Sequence, residues 1–156
     1  MSSELHSAIT SGDTSRVTDL IRSGANVNSK DFDGRTPLAY AVIDSQFEIL
    51  EILLRSGADP NIQDNDGLTP LHFAAKMHLP DSVKQLVRHG AKIDAKDAFG
   101  NTPLWRAVFE SRGRSDVVKL LVSLGANPDN PNYNKVSPRA LASKIANYDL
   151  SGLFLP

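Results

Sequence analysis

The hydrophobic and polar positions of this chain follow one arrangement three times. Each time, a short apolar segment opens with Thr-Pro-Leu, and a longer segment follows in which apolar residues recur at helical spacing, as at Ile49, Ile52 and Leu53. The longer segments have the sequences FEILEILLRSG, DSVKQLVRHG and SDVVKLLVSLG. The pattern therefore predicts two successive helices in each of the three stretches.

Two sets of small residues repeat with the same period. Glycines in the predicted turns lie 33 residues apart, at Gly34, Gly67 and Gly100. A separate Gly-Ala pair follows each longer segment, with two steps of 33 residues and a last step of 35, at Gly24, Gly57, Gly90 and Gly125. Because two independent markers keep one period, the chain is built from internal repeats.

The recurring residues suit helix ends and close packing. A threonine caps a helix N-terminus by accepting hydrogen bonds from free backbone N–H groups, and proline fits the first helical position. We therefore expect Thr36, Thr69 and Thr102 to cap the first helices, with the leucines that follow pointing inward. Glycine ends the second helices, where positive φ is needed. The extended stretches ADPNIQD and AKIDAKD then lead into the turns DNDG and DAFG.

One such unit buries too little surface to be stable alone, whereas stacked units share a continuous core. We expect one domain over residues 1–156 with five units: a cap at 1–30, then 31–63, 64–96 and 97–131, and a partial unit at 132–156. The last unit keeps only the degraded phrase Ser137-Pro138-Arg139-Ala140. We call these segments unit one to unit five.

The phrases DGRTPLAYA, DGLTPLHFA and GNTPLWRA make the chain resemble ankyrin-repeat proteins over nearly its whole length. The resemblance implies an all-α solenoid of about five helix-turn-helix units with β-turn or hairpin tips. It also implies that His72, and His6 in the cap, brace the turns through hydrogen bonds. Unit four departs from the pattern by two extra residues in ESRGRSD, and Leu79-Pro80 stands where the family usually has Gly-His.

Composition is that of an ordinary globular protein, with 156 residues of which 40% are hydrophobic and 22% charged. Cysteine is missing, so we expect no disulfide framework and no thiolate chemistry. The start, MSSELHSAITSGD, lacks the apolar core of a secretory signal, and no apolar run reaches membrane-spanning length. These features predict a cytoplasmic protein without membrane contact. We also expect it to be monomeric when free.

Charge is unevenly distributed along the chain, although the formal net charge is −1. Residues 1–75 carry 11 acidic and 5 basic side chains, for a net of −6, whereas residues 76–156 carry 7 acidic and 12 basic side chains, for a net of +5. This asymmetry either orients a charged partner along the molecule or arises by chance in a short chain.

Candidate residues for catalysis or metal binding are few. His78 and His89 lack a second histidine at zinc-site spacing, and Ile62 stands where a calcium loop around DNDG would need a carboxylate. No phosphate-binding glycine loop, dinucleotide fingerprint or nucleophile elbow occurs. We therefore expect no enzyme activity, no cofactor and no metal. The basic spot at residues 112–114 lacks interleaved aromatics, so a solvated loop is favoured over direct nucleic-acid binding.

The resemblance also implies where a partner would bind. In this family the turn residues around the glycine and the exposed end of each first helix form a concave contact surface. The implied contact residues on this chain are Phe32, Asp33, Arg35 and Asp44 in unit two, Asp66, Leu68 and Met77 in unit three, and Phe99, Asn101, Trp105, Arg106, Phe109 and Glu110 in unit four. Tyr133 and Asn134 lie near the last turn.

Three aromatic residues of this set leave alternatives open. Phe32 and Phe99 are large rings at turn tips, where small or polar residues are usual, and exposed aromatics commonly anchor protein interfaces. The alternative is that each ring folds back over a neighbouring turn. Trp105 replaces the bracing histidine, so it is either half-buried in that role or a contact residue.

These observations predict a non-catalytic module that binds another protein. The tail SPRALASKIANYDLSGLF resembles the C-terminal end of small bacterial ankyrin proteins that act as immunity proteins. That resemblance implies that the concave face occludes a toxin or effector domain. The net charge of −6 on residues 1–75 favours a basic toxin such as a nuclease. The alternative is an adaptor or assembly protein that binds a non-toxic partner.

Overall fold

A computed structural model of the protein describes residues 2–145 and residue 154. Within these residues the secondary structure is helical, with turns between the helices and no β-strand. The helices are α1 (Ser2–Thr10), α2 (Thr14–Arg22), α3 (Pro37–Ile43), α4 (Phe47–Arg55), α5 (Pro70–Lys76), α6 (Pro80–Arg88), α7 (Pro103–Phe109), α8 (Asp116–Ser123) and α9 (Pro138–Ala142). The predicted all-α architecture is confirmed.

The helices stack in two rows. The first helices of successive units pack in chain order, α1 on α3, α3 on α5, α5 on α7 and α7 on α9. The second helices form the other row, α2 on α4, α4 on α6 and α6 on α8, and each helix also packs on its partner within the pair. Because contacts run between neighbours, the structure is a solenoid.

Threonine and serine side chains cap the first helices as the sequence predicts. The Oγ1 atoms of Thr36 and Thr102 accept hydrogen bonds from backbone N–H groups three residues on, at 3.3 and 3.2 Å. Ser137 does the same for α9, at 3.2 Å. Thr69 forms a reciprocal capping box with His72 in unit three. Because Ser137 caps α9, the degraded phrase of unit five still starts a helix.

The core runs through the stack as one continuous cluster. The leucines that follow each Thr-Pro, Leu38, Leu71 and Leu104, are fully buried. Alanines at the next turn of the same helices, such as Ala74 and Ala107, are also fully buried and let neighbouring helices approach closely. The inward orientation predicted for the leucines is therefore confirmed.

The connection between the two helices of unit three differs from the expected alignment. Gly12, Ser45 and His78, each 33 residues apart, all have positive φ, with 56° at His78. The residue that takes the place of the usual glycine is therefore His78, one position before Leu79, and the predicted register of Gly-His was wrong there. Glycine is common at such a position because it alone enters this region without steric cost.

The tail SPRALASKIANYDLSGLF lies partly outside the described residues, which omit 146–153. Its described part consists of α9, the residues just after it, and Phe154, which is buried. Arg139 in α9 forms an ion pair with Asp129 at 2.7 Å and donates to the backbone carbonyl of Phe154. Its guanidinium also lies over the Phe154 ring, 5.6 Å from the centroid.

Candidate protein-binding surface

Each turn between units is held by one side-chain oxygen. The Oδ1 atoms of Asp31, Asp64, Asp97 and Asn132 accept hydrogen bonds from the backbone N–H groups two and four residues on, at 2.8–3.0 Å. Each turn is also closed by a backbone hydrogen bond, as between the Gly67 N–H and the Asp64 carbonyl at 3.0 Å. Asp31, Asp64 and Asp97 therefore form these turns through local hydrogen bonds of their side chains.

Neighbouring turns are joined to one another through their backbones. The N–H groups of Asn65, Ala98 and Tyr133 donate to the carbonyls of Asp33, Asp66 and Phe99 at 2.9, 2.9 and 3.1 Å, respectively. The Asn65 side chain adds a bond to the Phe32 carbonyl at 2.9 Å. The turn tips of units two to five are therefore fixed relative to one another and present a continuous edge.

Large apolar side chains project from this edge. The Phe32 side chain is fully exposed, Phe99 is 60% exposed and Tyr133 is 68% exposed. Neither phenylalanine folds back over a neighbouring turn, which was the alternative to an exposed ring. Tyr133, which the sequence placed only near the last turn, thus joins the two phenylalanines, and Lys135 takes the place of the turn glycine in unit five. Lys135 nevertheless has the same left-handed backbone, with a φ of 61°.

Polar members of the predicted set differ in their exposure at the turns. Asp33 and Asp66 are exposed, and Asp33 forms an ion pair with Arg35 at 3.4 Å. The Arg35 guanidinium lies 6.0 Å from the Phe73 ring centroid, so this side chain is partly committed to the fold. Leu68 is half-buried and packs against the core.

The exposed ends of the first helices supply a second group of candidate residues. Met77 is exposed at the end of α5, and Phe109 is 54% exposed at the end of α7. Trp105 is half-buried and stacks on Phe109, with ring centroids 5.2 Å apart and planes inclined by 15°. Asp44 and Glu110 are half-buried at the C-caps of α3 and α7.

Two predicted contact residues are committed to an internal network instead. Asn101 is only 4% exposed, and its Oδ1 accepts from the Asn132 side chain at 2.8 Å. The Arg106 Nε donates to the Asp97 Oδ2 at 2.8 Å, with 19% of the Arg106 side chain exposed. Asn101 therefore does not contribute to the exposed surface, and Arg106 offers little area to a partner.

The charge at Asp97 is stabilised within this network. Burial on its own would raise the pKa of the Asp97 carboxyl. Hydrogen bonds from Arg106 and from the backbone N–H groups of Asn101 and Phe99 outweigh burial, and the pKa lies below its ordinary value. Removing Arg106 would leave a buried carboxylate without its counter-charge, so this arginine has a structural role.

The bracing histidine of unit three is present as the resemblance implied. His72 is fully buried, its Nδ1 accepts from the Thr69 backbone N–H at 3.1 Å, and its Nε2 lies 3.0 Å from the Asn101 carbonyl. In unit four, Trp105 takes the same place, and its indole Nε1 is buried without a hydrogen-bond partner among the residues that the structure describes. A stack on Phe109 replaces the histidine bridge there.

Neither a membrane-spanning helix nor a metal-binding cluster occurs among the described residues. No helix in that part of the chain is both long and apolar enough to cross a membrane. Histidine and acidic side chains do not assemble there into a group of three or more that could hold a metal ion.

A stack of helix pairs with a continuous edge of exposed turn tips defines a repeat solenoid of the protein-binding class. The sequence agrees with this classification. A family model described as "Ankyrin repeats (3 copies)" matches residues 5–97 and 47–132, and the chain therefore belongs to the ankyrin-repeat family. A search among curated proteins found no match. Ankyrin repeats are generally non-catalytic modules that bind other proteins.

Proposed function

We propose that the chain inhibits a toxic effector protein by covering its active site or substrate groove with the concave surface. The observation that carries this proposal is the exposure of Phe32, Phe99 and Tyr133 on turns whose backbones are hydrogen-bonded to one another. Exposed aromatics of this kind anchor protein interfaces because they bury a large area for little lost conformational freedom.

Rigidity of the turns favours tight binding. Ordering mobile loops on association costs free energy, and turns that are fixed beforehand avoid most of that cost. Met77 and Phe109 extend the apolar area from the turns to the ends of α5 and α7. The surface thereby spans several units, as covering a substrate groove requires.

The immunity role is supported by the resemblance of the tail and by the distribution of charge. The net −6 of residues 1–75 complements a basic effector, such as a nuclease that must itself hold phosphates. In this role the protein acts in the cytoplasm, as a monomer until its partner arrives, without a cofactor. An adaptor that binds a harmless protein is the second candidate, and the same exposed aromatics favour it equally.

Affinity capture separates these two roles. The wild-type chain and the double variant Phe32→Ala/Phe99→Ala are used as parallel baits in a lysate of the source cell. Proteins retained only by the wild type are then expressed alone. A retained protein that kills cells, and whose toxicity co-expression of this chain relieves, supports immunity. A harmless partner supports the adaptor role and contradicts immunity.

The turn aromatics are expected to contribute to binding and not to stability. Phe99→Ala or Phe32→Ala should weaken binding of the captured partner by at least about tenfold, as truncation of an interface anchor does. The free energy of unfolding should change by less than about 0.5 kcal/mol, because neither ring is buried. Calorimetric titration and urea unfolding measure the two quantities.

A matched control is Phe47→Ala, which removes an exposed phenylalanine at the start of α4, away from the turns. Its affinity should equal that of the wild type. If Phe47→Ala weakens binding as much as Phe99→Ala does, the partner binds elsewhere. If Phe99→Ala loses several kcal/mol of stability, the ring belongs to the core and the proposed surface is wrong.

A further inference from the structure

The connection between α7 and α8 is longer than its counterparts and carries two arginines. Gly90-Ala91 and Gly125-Ala126 are separated by 35 residues, whereas the other steps are 33, so unit four has two extra residues. Arg112 and Gly113 both have positive φ, at 45° and 86°, where units two and three have one such residue each. Arg112, Gly113 and Arg114 are exposed, and the loop thus presents two guanidinium groups to solvent.

These guanidinium groups have no acidic partner among the described residues. Glu110 and Asp116 border the loop, but neither forms an ion pair with Arg112 or Arg114, and Asp116 instead lies 3.7 Å from the Nδ1 of His78. The Arg114 Nε makes one weak contact, 3.5 Å from the Ser111 carbonyl. Two charges that the fold does not use are therefore available to a ligand.

The loop begins next to the apolar end of α7. Phe109, the last residue of that helix, is exposed and stacks on Trp105. On the other side, Met77 precedes His78, whose Nε2 lies 3.1 Å from the Ala107 carbonyl and whose Nδ1 lies 3.7 Å from the Asp116 carboxylate. The end of α5 therefore packs beside α7 and the start of α8, which the loop connects. Exposed apolar side chains and the two guanidinium groups thus lie on adjoining segments at the junction of units three and four.

We propose that this aromatic–basic patch, formed by Met77, Trp105, Phe109, Arg112 and Arg114, binds an acidic segment of the partner protein that carries an aromatic or large aliphatic side chain. The inference rests on the proposed function, since it assigns the partner's chemistry at one part of the concave surface. The apolar side chain lies against Phe109 and Met77, and neighbouring carboxylates pair with the two arginines. Arginine suits this task because its planar fork binds a carboxylate through two hydrogen bonds.

A protein segment fits this patch better than a nucleic acid does. Nucleic-acid affinity depends on neutralising many phosphates along a backbone. The patch offers two guanidinium groups flanked by the acidic Glu110 and Asp116, which would repel a run of phosphates. One or two carboxylates placed between the arginines avoid that repulsion.

Selection from a defined library tests the inference without knowledge of the partner. A library of random dodecamer peptides on phage is selected on the wild-type chain, and enriched peptides are synthesised with a fluorescent label. We expect them to combine an aromatic or large aliphatic residue with aspartate or glutamate. Fluorescence anisotropy should show at least tenfold weaker binding to Arg112→Gln/Arg114→Gln. Phe109→Ala should show a similar loss.

The control variant Arg55→Gln/Arg88→Gln removes two exposed arginines from the ends of α4 and α6, and it should bind the peptides as the wild type does. Circular dichroism verifies that each variant is folded. A fluorescent single-stranded oligonucleotide is a second probe, and we expect it to bind more weakly than the peptides at physiological salt.

Several results would overturn the inference. The selection could enrich neutral or basic peptides, or it could retain no peptide. The Arg55→Gln/Arg88→Gln control could lose as much peptide affinity as Arg112→Gln/Arg114→Gln does. The oligonucleotide could bind more tightly than the peptides. Peptides that lose affinity in Phe32→Ala/Phe99→Ala but not in Arg112→Gln/Arg114→Gln would place binding at the turn aromatics and refute this patch. The proposed function fails separately, if no protein is retained by the wild type in preference to the Phe32→Ala/Phe99→Ala bait.

Discussion

His72 and Trp105 occupy the same place in successive units, and their side chains stabilise the fold by different means. Both ring nitrogens of His72 are occupied: Nδ1 accepts from the Thr69 N–H, so the proton resides on Nε2 and is donated to the Asn101 carbonyl. A second proton at Nδ1 would point at a donor in a buried site. Burial is the main cause that lowers the pKa of His72, to about 4, although the Asn101 carbonyl and the Asp97 charge act in the opposite direction.

Stability should therefore fall in mild acid. Unfolded chains protonate histidine near its ordinary pKa of 6.5, whereas folded His72 stays neutral down to about pH 4. Between these values the unfolded state binds more protons, so the free energy of unfolding decreases as pH falls, by about 1.4 kcal/mol per pH unit for this histidine. The loss begins below pH 6.5 and ends near pH 4. Urea unfolding at pH 7.5 and 5.5 measures it.

Comparing a variant with the wild type isolates the contribution of His72 to the pH dependence of stability. His72→Asn should lose less stability between the two pH values than the wild type does, and the buried His78, whose pKa is also lowered, accounts for part of the remainder. A midpoint near pH 6.5 for the His72 ring protons in an NMR titration would refute this explanation.

At the scale of the element, the turn tip depends on backbone contacts between units. Gly67 has a φ of 75°, and a Cβ atom built on it would lie 2.6 Å from the Ala98 backbone nitrogen. Gly57, at the end of α4, has a φ of 87°, but a Cβ there would meet nothing within 4 Å. Both positions need the left-handed conformation, and only the turn glycine also needs the missing side chain.

The two glycines should therefore respond differently to alanine. Gly57→Ala is expected to cost about 1–2 kcal/mol, the strain of a left-handed non-glycine residue. Gly67→Ala should cost at least about 1 kcal/mol more, because the rigid Ala98 backbone must also move. Urea unfolding of the two variants measures the difference. If the two variants lose equal stability, the turns of units three and four separate easily. That result would contradict turn tips that are fixed relative to one another.

The same turns show how far the sequence alone can specify the structure. Thr69 and Asp64 act within a few residues of their partners, so their capping and turn roles follow from local pattern. The partner of Asn101 is Asn132, 31 residues away in a unit shifted by the insertion, and no local signal marks that pair. For this reason the sequence predicts Asn101 as an exposed contact residue, although its side chain is buried.

At the scale of the whole molecule, contacts follow chain order. Helix α1 packs on α2 and α3, whereas the central α5 packs on α3, α6 and α7. In such a stack, stability is approximately the sum of unit and interface contributions, so an end unit can unfold while the rest stays folded. Period and composition predicted this organisation, because each unit repeats the same apolar positions.

Truncating a buried side chain in an end unit should therefore destabilise that unit alone. The same change in a central unit should destabilise the whole stack. Leu5 in α1 and Leu71 in α5 are both fully buried, so either change to alanine is expected to cost about 2–5 kcal/mol. In Leu5→Ala, hydrogen exchange by mass spectrometry should speed up over residues 2–30, and residues 64–132 should keep their protection. In Leu71→Ala, exchange should speed up in every unit. Ser7→Ala, on the exposed side of α1, should leave all rates unchanged. Uniformly faster exchange in Leu5→Ala would mean that the stack unfolds as one cooperative body. Binding of a partner at the concave surface would then stabilise the first unit as much as the units in contact with that partner.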